Sequence, residues 1–445
     1  MHSHPYYFIA LLLIVFILPA CNDDRAGDDN RTDYSLNAPN WPADTIEEFQ
    51  LPNGLSREAY YNKLLGSLVG SAIGDAMGAP TEMWHRDDIQ VMHGYVDSLD
   101  ALIREGSPEG PWEVNLPEGG TTDDTRWKYL TGGWLTGYGR HQARLDARDF
   151  ARLITDHYLE DTQTALDVRS FDPGPLEREL RRVTWLQEWA KVAKPYYEED
   201  LDAYSYALNR FYGGEMACAG MLYAPMLGAY YPAHPERAYT EAYRLGIFDL
   251  GYARDITGLT AAYVAEAMRP GIPFERITLL SRSTDPLNYF SSRLVGRISY
   301  RLFRDAKYIV DEARGLTEAD IPADLEMPKN FKRGPLYLAQ LQRAYELLDE
   351  KLQDIPFHAG EVHLINLTAL EFGRGDFGET LEFVTNYGRD NDTVAAVTGA
   401  ILGAYLGFEA LPQDLARTSL QANKELLGIS LEDLARDLTE QLYGK

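Results

Sequence analysis

The sequence predicts an all-α protein. Beyond Ser56, apolar residues recur at three- and four-residue spacing through most of the chain. Alternating strand-like runs with hairpin turns are nearly absent, and glycines repeat every fourth residue in two separate segments. No repeat of solenoid period is present. The 445 residues are 45% hydrophobic and 25% charged, which matches a globular domain and disfavours disorder. With 68 acidic against 42 basic side chains the net charge is −26, which excludes a general nucleic-acid binder.

The N-terminus has its own pattern. Residues 1–20 contain no Asp, Glu, Lys or Arg. Phe8 to Leu18 is an apolar run of signal-peptide length, shorter than the roughly 20 residues that cross a bilayer. It ends in Leu18-Pro19-Ala20-Cys21, which resembles the bacterial lipobox and implies lipidation of Cys21, a membrane anchor, and a protein facing periplasm or cell surface. Asn22 to Gln50 holds eight acids and two bases, so residues 21–54 are expected to be a solvated acidic tether and 55–445 the folded body. Only Cys218 then remains, so no intrachain disulfide is possible, and a packed thiol is a better expectation for it than a catalytic one.

In the body, Ser56 is a good N-cap, followed by Tyr60, Leu64, Leu65, Leu68 and Ala72 at helical spacing. Ala- and Leu-rich helical segments are expected at 142–160, 184–210, 236–246, 253–268, 334–353, 360–372 and 393–406. A last helix is introduced by Ser430-Leu431-Glu432-Asp433, an acidic variant of the capping box. Gly66, Gly70, Gly74 and Gly78 lie on one face of the first helix, and Gly399, Gly403 and Gly407 repeat the spacing near the end. Glycine costs about 1 kcal/mol against alanine inside a helix. Two such stripes therefore predict central helices packed closely enough that the loops at their ends converge.

Those loops carry paired carboxylates. One is Gly119-Gly120-Thr121-Thr122-Asp123-Asp124-Thr125, and the other Gly388-Arg389-Asp390-Asn391-Asp392-Thr393. Neighbouring aspartates repel and need a cation, hydrogen bonds or full solvation. All-oxygen donors suit a hard divalent ion, and two clusters would suit two ions. Either motif alone also suits a plain helix N-cap. His358 and His363 are five apart, which matches no metal-ligand spacing, and are expected to be satisfied or exposed.

The segment Gly66 through Glu82, the Thr122-Asp123-Asp124-Thr125 motif and Gly388 through Ala400 stand in an order that resembles the ADP-ribosylglycohydrolase family. A weaker match runs through Tyr223-Ala224-Pro225-Met226 and Tyr231-Pro232. The resemblance spans roughly 56–410. It implies one all-α domain with a central cleft and a binuclear Mg²⁺ centre, Mn²⁺ being an alternative. Carried over by position, Thr122, Asp123 and Asp124 would bind metal from one side, and Asp390, Asp392 and Thr393 from the other. Glu82 would be the catalytic residue beside the metals, as general base or as a ligand through water. Gly213, Gly214 and Asn391 would contact substrate, and Asp75 would be a hydrogen-bonding support. The partner implied is a small-molecule or protein-attached riboside, handled by a monomer.

The chain also departs from the family. Arg389 and Asn391 stand where smaller residues are usual, the Gly213–Gly220 loop lacks an Arg and gains Glu215, and Arg254-Asp255 replaces a His. Insertions near 160–200 and 283–345 bring Trp185, Trp189 and the basic Lys329, Lys332 and Arg333. These favour a ribosyl leaving group other than ADP-ribosylated arginine. A metal-free all-α carbohydrase using paired carboxylates, and a non-catalytic binding lipoprotein, remain as alternatives.

Overall fold

Ser56 opens the first helix, Arg57–Gly78, by accepting a hydrogen bond from the Ala59 N–H. The computed structural model describes residues 51–52, 54–103, 116–138, 144–168 and 173–444, with side chains left aside at 173–182. All of these fall within one unit, Pro42–Lys445. The expected signal segment, Cys21 and the tether through residue 50 lie outside the described residues. Among the described residues the protein is helical throughout, its only extended pairings being three isolated bridges. No helix among them is long and apolar enough to cross a membrane.

The two glycine stripes face each other. Gly66 lies on Gly403, Gly70 on Gly399, Gly74 on Ala395 and Gly78 on Asp392, so Arg57–Gly78 runs antiparallel to the later helix Asn391–Leu406. A Cβ added at any of these glycines would stand closer than 3.0 Å to the partner backbone. The stripes thus exist because each helix is the other's close neighbour. Both helices are buried along nearly their whole length, and apolar residues from the other elements surround them. The pairing has one consequence for function. It sets the exit of the first helix, leading to Glu82, against the entry of Asn391–Leu406, where Asp390 and Asp392 stand.

The expected helices are present with shifted bounds: Ala147–Asp167, Pro235–Leu245, Ala253–Ala267, Pro335–Asp349, Ala359–Gly373 and Leu431–Tyr443. The expected 184–210 helix is instead two, Pro173–Tyr197 and Leu201–Leu208. Asp200 caps the second by accepting from Ala203 N–H, after Glu199 turns to φ +61°. The stretch 283–345, expected to be an insertion, contains the helix Ile298–Arg314, amphipathic but polar enough to escape a reading of Ala- and Leu-rich runs.

That insertion also supplies Arg297, whose guanidinium is buried against Asp255 through Nη2–Oδ1 at 2.7 Å and Nε–Oδ2 at 3.0 Å. Tyr239 and Ser299 donate to the same carboxylate. Arg254-Asp255 is therefore part of the scaffold that holds the insertion.

His363 corrects the expectation made for it. Its ring is fully buried, stacks on Tyr263 at 6.0 Å and 8°, and has no hydrogen-bond partner on either nitrogen. Burial pushes it down to about 3 from 6.5, with Asp255 opposing and Arg297 adding to the shift. The unfolded chain takes up this proton near pH 6.5 and the folded chain only near pH 3, so stability is whole above pH 6.5 and falls below it. The loss approaches about 1.4 kcal/mol per pH unit between those values. His363→Phe, which keeps the ring stack, is expected to flatten the decline in melting temperature between pH 6.5 and 4, as read by scanning calorimetry.

Candidate metal centre

Two backbone hydrogen bonds tie the segment after Glu82 to the Gly388–Thr393 loop. Met83 N–H donates to Arg389 O at 2.7 Å, and Arg389 N–H to Trp84 O at 2.9 Å. Gly388, at φ +83°, permits this, because a Cβ there would press on Trp84 O. Met83 and Arg389 take φ values of +66° and +63°, which disfavour side-chain-bearing residues. Arg389 is held there by a two-pronged pair with the buried Glu361, Nε–Oε1 at 2.7 Å and Nη2–Oε2 at 3.0 Å.

On these supports Glu82, Asp390 and Asp392 each place a carboxylate oxygen within 4.8 Å of the other two, and all three residues are buried. Three buried carboxylates at such separations repel unless protons, donors or a cation compensate. The all-oxygen donor set fits a hard divalent ion such as Mg²⁺ or Mn²⁺. Asp392 Oδ1 also accepts from Thr393 N–H at 2.9 Å, and Cys218 Sγ lies 3.7 Å from Asp390 Oδ2, a weak donor contact.

The first acidic cluster arrives on the helix Asp123–Leu135, anchored by Asp75. Asp75 Oδ1 accepts from the Thr122 amide and hydroxyl at 2.9 and 3.0 Å, and Oδ2 from the Thr125 amide and hydroxyl at 3.0 and 2.6 Å. Burial and the neighbouring Asp124 raise the Asp75 carboxyl above its ordinary value. The two clusters, 269 residues apart, meet directly where Thr393 Oγ1 donates to Asp124 Oδ2 at 2.9 Å. Asp124 Oδ1 faces the buried ammonium of Lys128 at 3.3 Å.

One pocket gathers Glu82, Asp123, Asp390, Asp392 and Thr393. Thr122 and Asp124 are held in the Asp75 and Lys128 contacts. Gly213 and Gly214, at φ +75° and +85°, follow Tyr212, whose side chain reaches the pocket. Asn391 turns elsewhere, its Nδ2 donating to Thr81 Oγ1 at 2.9 Å and to Thr385 O at 3.0 Å. Lys329, Lys332 and Arg333 do not line the pocket; Lys332 pairs with Asp97 and Arg333 with Glu382.

The rest of the lining is Trp189, Tyr212, Ala217–Ala219, Leu222 and Phe357; sequence reasoning had singled out Trp189 and Cys218 and missed the others. Cys218 N–H donates to Phe357 O at 3.0 Å and Ala359 N–H to Met216 O at 2.8 Å, which joins two distant loops there. Trp189, from the 160–200 insertion, packs on Trp127 with ring centres 4.3 Å apart. No local motif announces such a wall. Lys128 was also missed; its place one helical turn beyond Asp124 is the signal that could have found it. The pocket volume is about 30 Å³, which holds a couple of waters and not a sugar. A roomier cavity of about 660 Å³, lined by Tyr129, Trp134 and Trp185, contains none of the expected site residues.

Comparison with curated proteins finds no match. A solved structure titled "ADP-ribosylglycohydrolase-related protein complex" is similar in fold at 19% identity and a TM-score of 0.51, over 86% of this chain and 99% of that one. The sequence profile described as ADP-ribosylglycohydrolase matches residues 56–445. That span is nearly all of the described protein and includes the Asp75 anchor, both acidic clusters and Glu82, so the chain belongs to the ADP-ribosylglycohydrolase family.

Proposed function

We propose that the protein is a divalent-cation-dependent hydrolase of ribosyl glycosidic bonds, and that its leaving group rests on an aromatic wall. One observation carries the reading. Glu82, Asp390 and Asp392, from opposite ends of the chain, converge as a buried oxygen donor set. Asp390 and Asp392 would hold the ion directly and Glu82 through a bound water, with Asp123 and Thr393 beside them. A bound Mg²⁺ or Mn²⁺ would acidify a water and orient ribose hydroxyls.

The chain's own residues supply the rest. Glu82 is placed to accept a proton from the attacking water. Asp123, partly exposed on the same pocket, would stabilise positive charge developing at the anomeric carbon. Tyr212 and Phe357, both partly exposed, offer apolar ring surface to a planar leaving group, and the buried Trp189 packs against Tyr212. The pocket's lining contains four carboxylates and no Lys or Arg, which favours an uncharged leaving group over a pyrophosphate held at this wall. The N-terminal lipobox pattern supports placing this activity at a membrane surface outside the cytoplasm.

The test is a panel of ribosides, containing ADP-ribosyl peptides, nucleosides and simple N-ribosides, incubated with the purified full-length chain and Mg²⁺ or Mn²⁺. Release of ribose or ADP-ribose is read by chromatography. Cleavage that stops with chelator supports the proposal. Cleavage that survives chelator points to a metal-free carbohydrase, and no cleavage with retained ion and ligand binding points to a non-catalytic protein.

A further inference from the structure

We infer that Lys128 stands in for one of the two cations of a binuclear centre, so that this protein binds a single divalent ion. The inference rests on the metal-dependent reading above and narrows it. The family resemblance places Thr122, Asp123 and Asp124 on one side of a binuclear centre and Asp390, Asp392 and Thr393 on the other, and a second ion needs the Asp124 side. The residues on the Asp124 side do not fit that assignment.

Asp124 is 1% exposed and its oxygens are engaged. Oδ2 accepts from Thr393 Oγ1 at 2.9 Å, Oδ1 lies 3.3 Å from Lys128 Nζ, and the main-chain oxygen accepts from the same Nζ at 3.0 Å. Thr122 is also engaged, its hydroxyl donating to Asp75 and accepting from Asp124 N–H at 3.4 Å. Lys128 is itself 1% exposed, on the helix whose first turn carries Asp123 and Asp124. A buried ammonium requires a negative partner, and Asp124 is the one in contact, with Asp75 close enough to feel the charge.

A divalent ion on Asp124 would therefore lie beside a fixed positive charge in a dry environment, where like charges repel strongly. The two occupants exclude each other. Glu82, Asp390 and Asp392 form a separate donor group whose pocket contains no cationic side chain, so the ion has a place there that Lys128 does not contest. The centre is then asymmetric. The triad holds an exchangeable ion able to act on water, and Asp124 holds a permanent charge that neutralises it and fixes Thr393.

The experiment is metal stoichiometry, measured with Mn²⁺ alone on the full-length chain by calorimetry and by electron paramagnetic resonance, for the natural protein and for Lys128→Met, which keeps the length of the side chain and removes its charge. The expected result is one Mn²⁺ per chain with an uncoupled spin signal in the natural protein. In Lys128→Met two ions and a spin-coupled signal are expected, because Asp124 becomes available. Two ions in the natural protein, or one ion in both proteins, would overturn the inference while leaving a metal-dependent enzyme in place. No bound Mn²⁺ in the natural protein would remove both the inference and the reading beneath it. If Lys128→Met does not fold, the ion count and spin signal of the natural protein decide the matter alone.

Discussion

Asp392→Asn is expected to lower ribosyl release by about 10²–10³-fold or more, the scale on which removal of one preorganised charge-stabilising group slows an enzyme. The substitution is nearly isosteric, and an amide oxygen can still accept the Thr393 N–H that Asp392 Oδ1 accepts now. The start of the Asn391–Leu406 helix should therefore survive. What is lost is one of three carboxylates gathered within 4.8 Å. In the ion-free protein, removing one of several crowded like charges relieves repulsion, so the melting temperature should stay level or rise. With Mn²⁺ the sign reverses. The natural protein gains stability in proportion to the logarithm of ion concentration, about 2.7 kcal/mol at a hundredfold excess over the dissociation constant, and Asp392→Asn gains much less. Measured together, kcat and the Mn²⁺-induced shift in melting temperature separate a damaged ion site from a damaged fold. A drop in kcat with an unchanged Mn²⁺ shift would place the role of Asp392 in substrate handling instead.

What could be foreseen divides by the range of the interaction. Helices announce themselves through spacing and caps, so Ser56 and Ser430 mark real helix starts, each accepting from the amide three residues on. The glycine stripes were legible because a fourth-residue repeat has a local cost that only a close neighbour can offset. That the neighbour of one stripe would be the other was not legible, since nothing local records a contact between Gly66 and Gly403. The acidic loops were found for the same reason as the stripes, as groups needing compensation. Their division of labour was not. Asp124 and Asp390 belong to equivalent-looking motifs, yet Asp390 joins a donor triad and Asp124 faces an ammonium. The difference comes from Lys128 and from the packing that buries it. In the aromatic wall and the Arg297–Asp255 pair, side chains from distant elements meet, Trp189 and Arg297 from the stretches near 160–200 and 283–345 and the others from outside them, and no short motif exists to see.

The largest structural effect is expected from Gly403→Leu, because its site has no slack. A Cβ at residue 403 would meet the Gly66 carbonyl and the Ser67 amide, all backbone of a buried helix that cannot rotate away as a side chain would. Core overpacking against movable side chains costs about 1–3 kcal/mol; here two central helices must separate, and the cost should exceed about 4 kcal/mol. The two helices also bring Glu82 to Asp390 and Asp392, so loss of the contact should remove Mn²⁺ binding along with stability. Gly133→Ala is the matched control. It lies inside the Asp123–Leu135 helix with open space where its Cβ would go. There only the backbone term acts, and alanine should stabilise by about 0.5–1 kcal/mol. Circular dichroism melts of the two variants should therefore move in opposite directions. A Gly403→Leu protein that melts with the natural one and binds Mn²⁺ equally well would mean that the stripes do not hold the two helices in contact, and the route by which the chain assembles its acidic site would have to lie elsewhere.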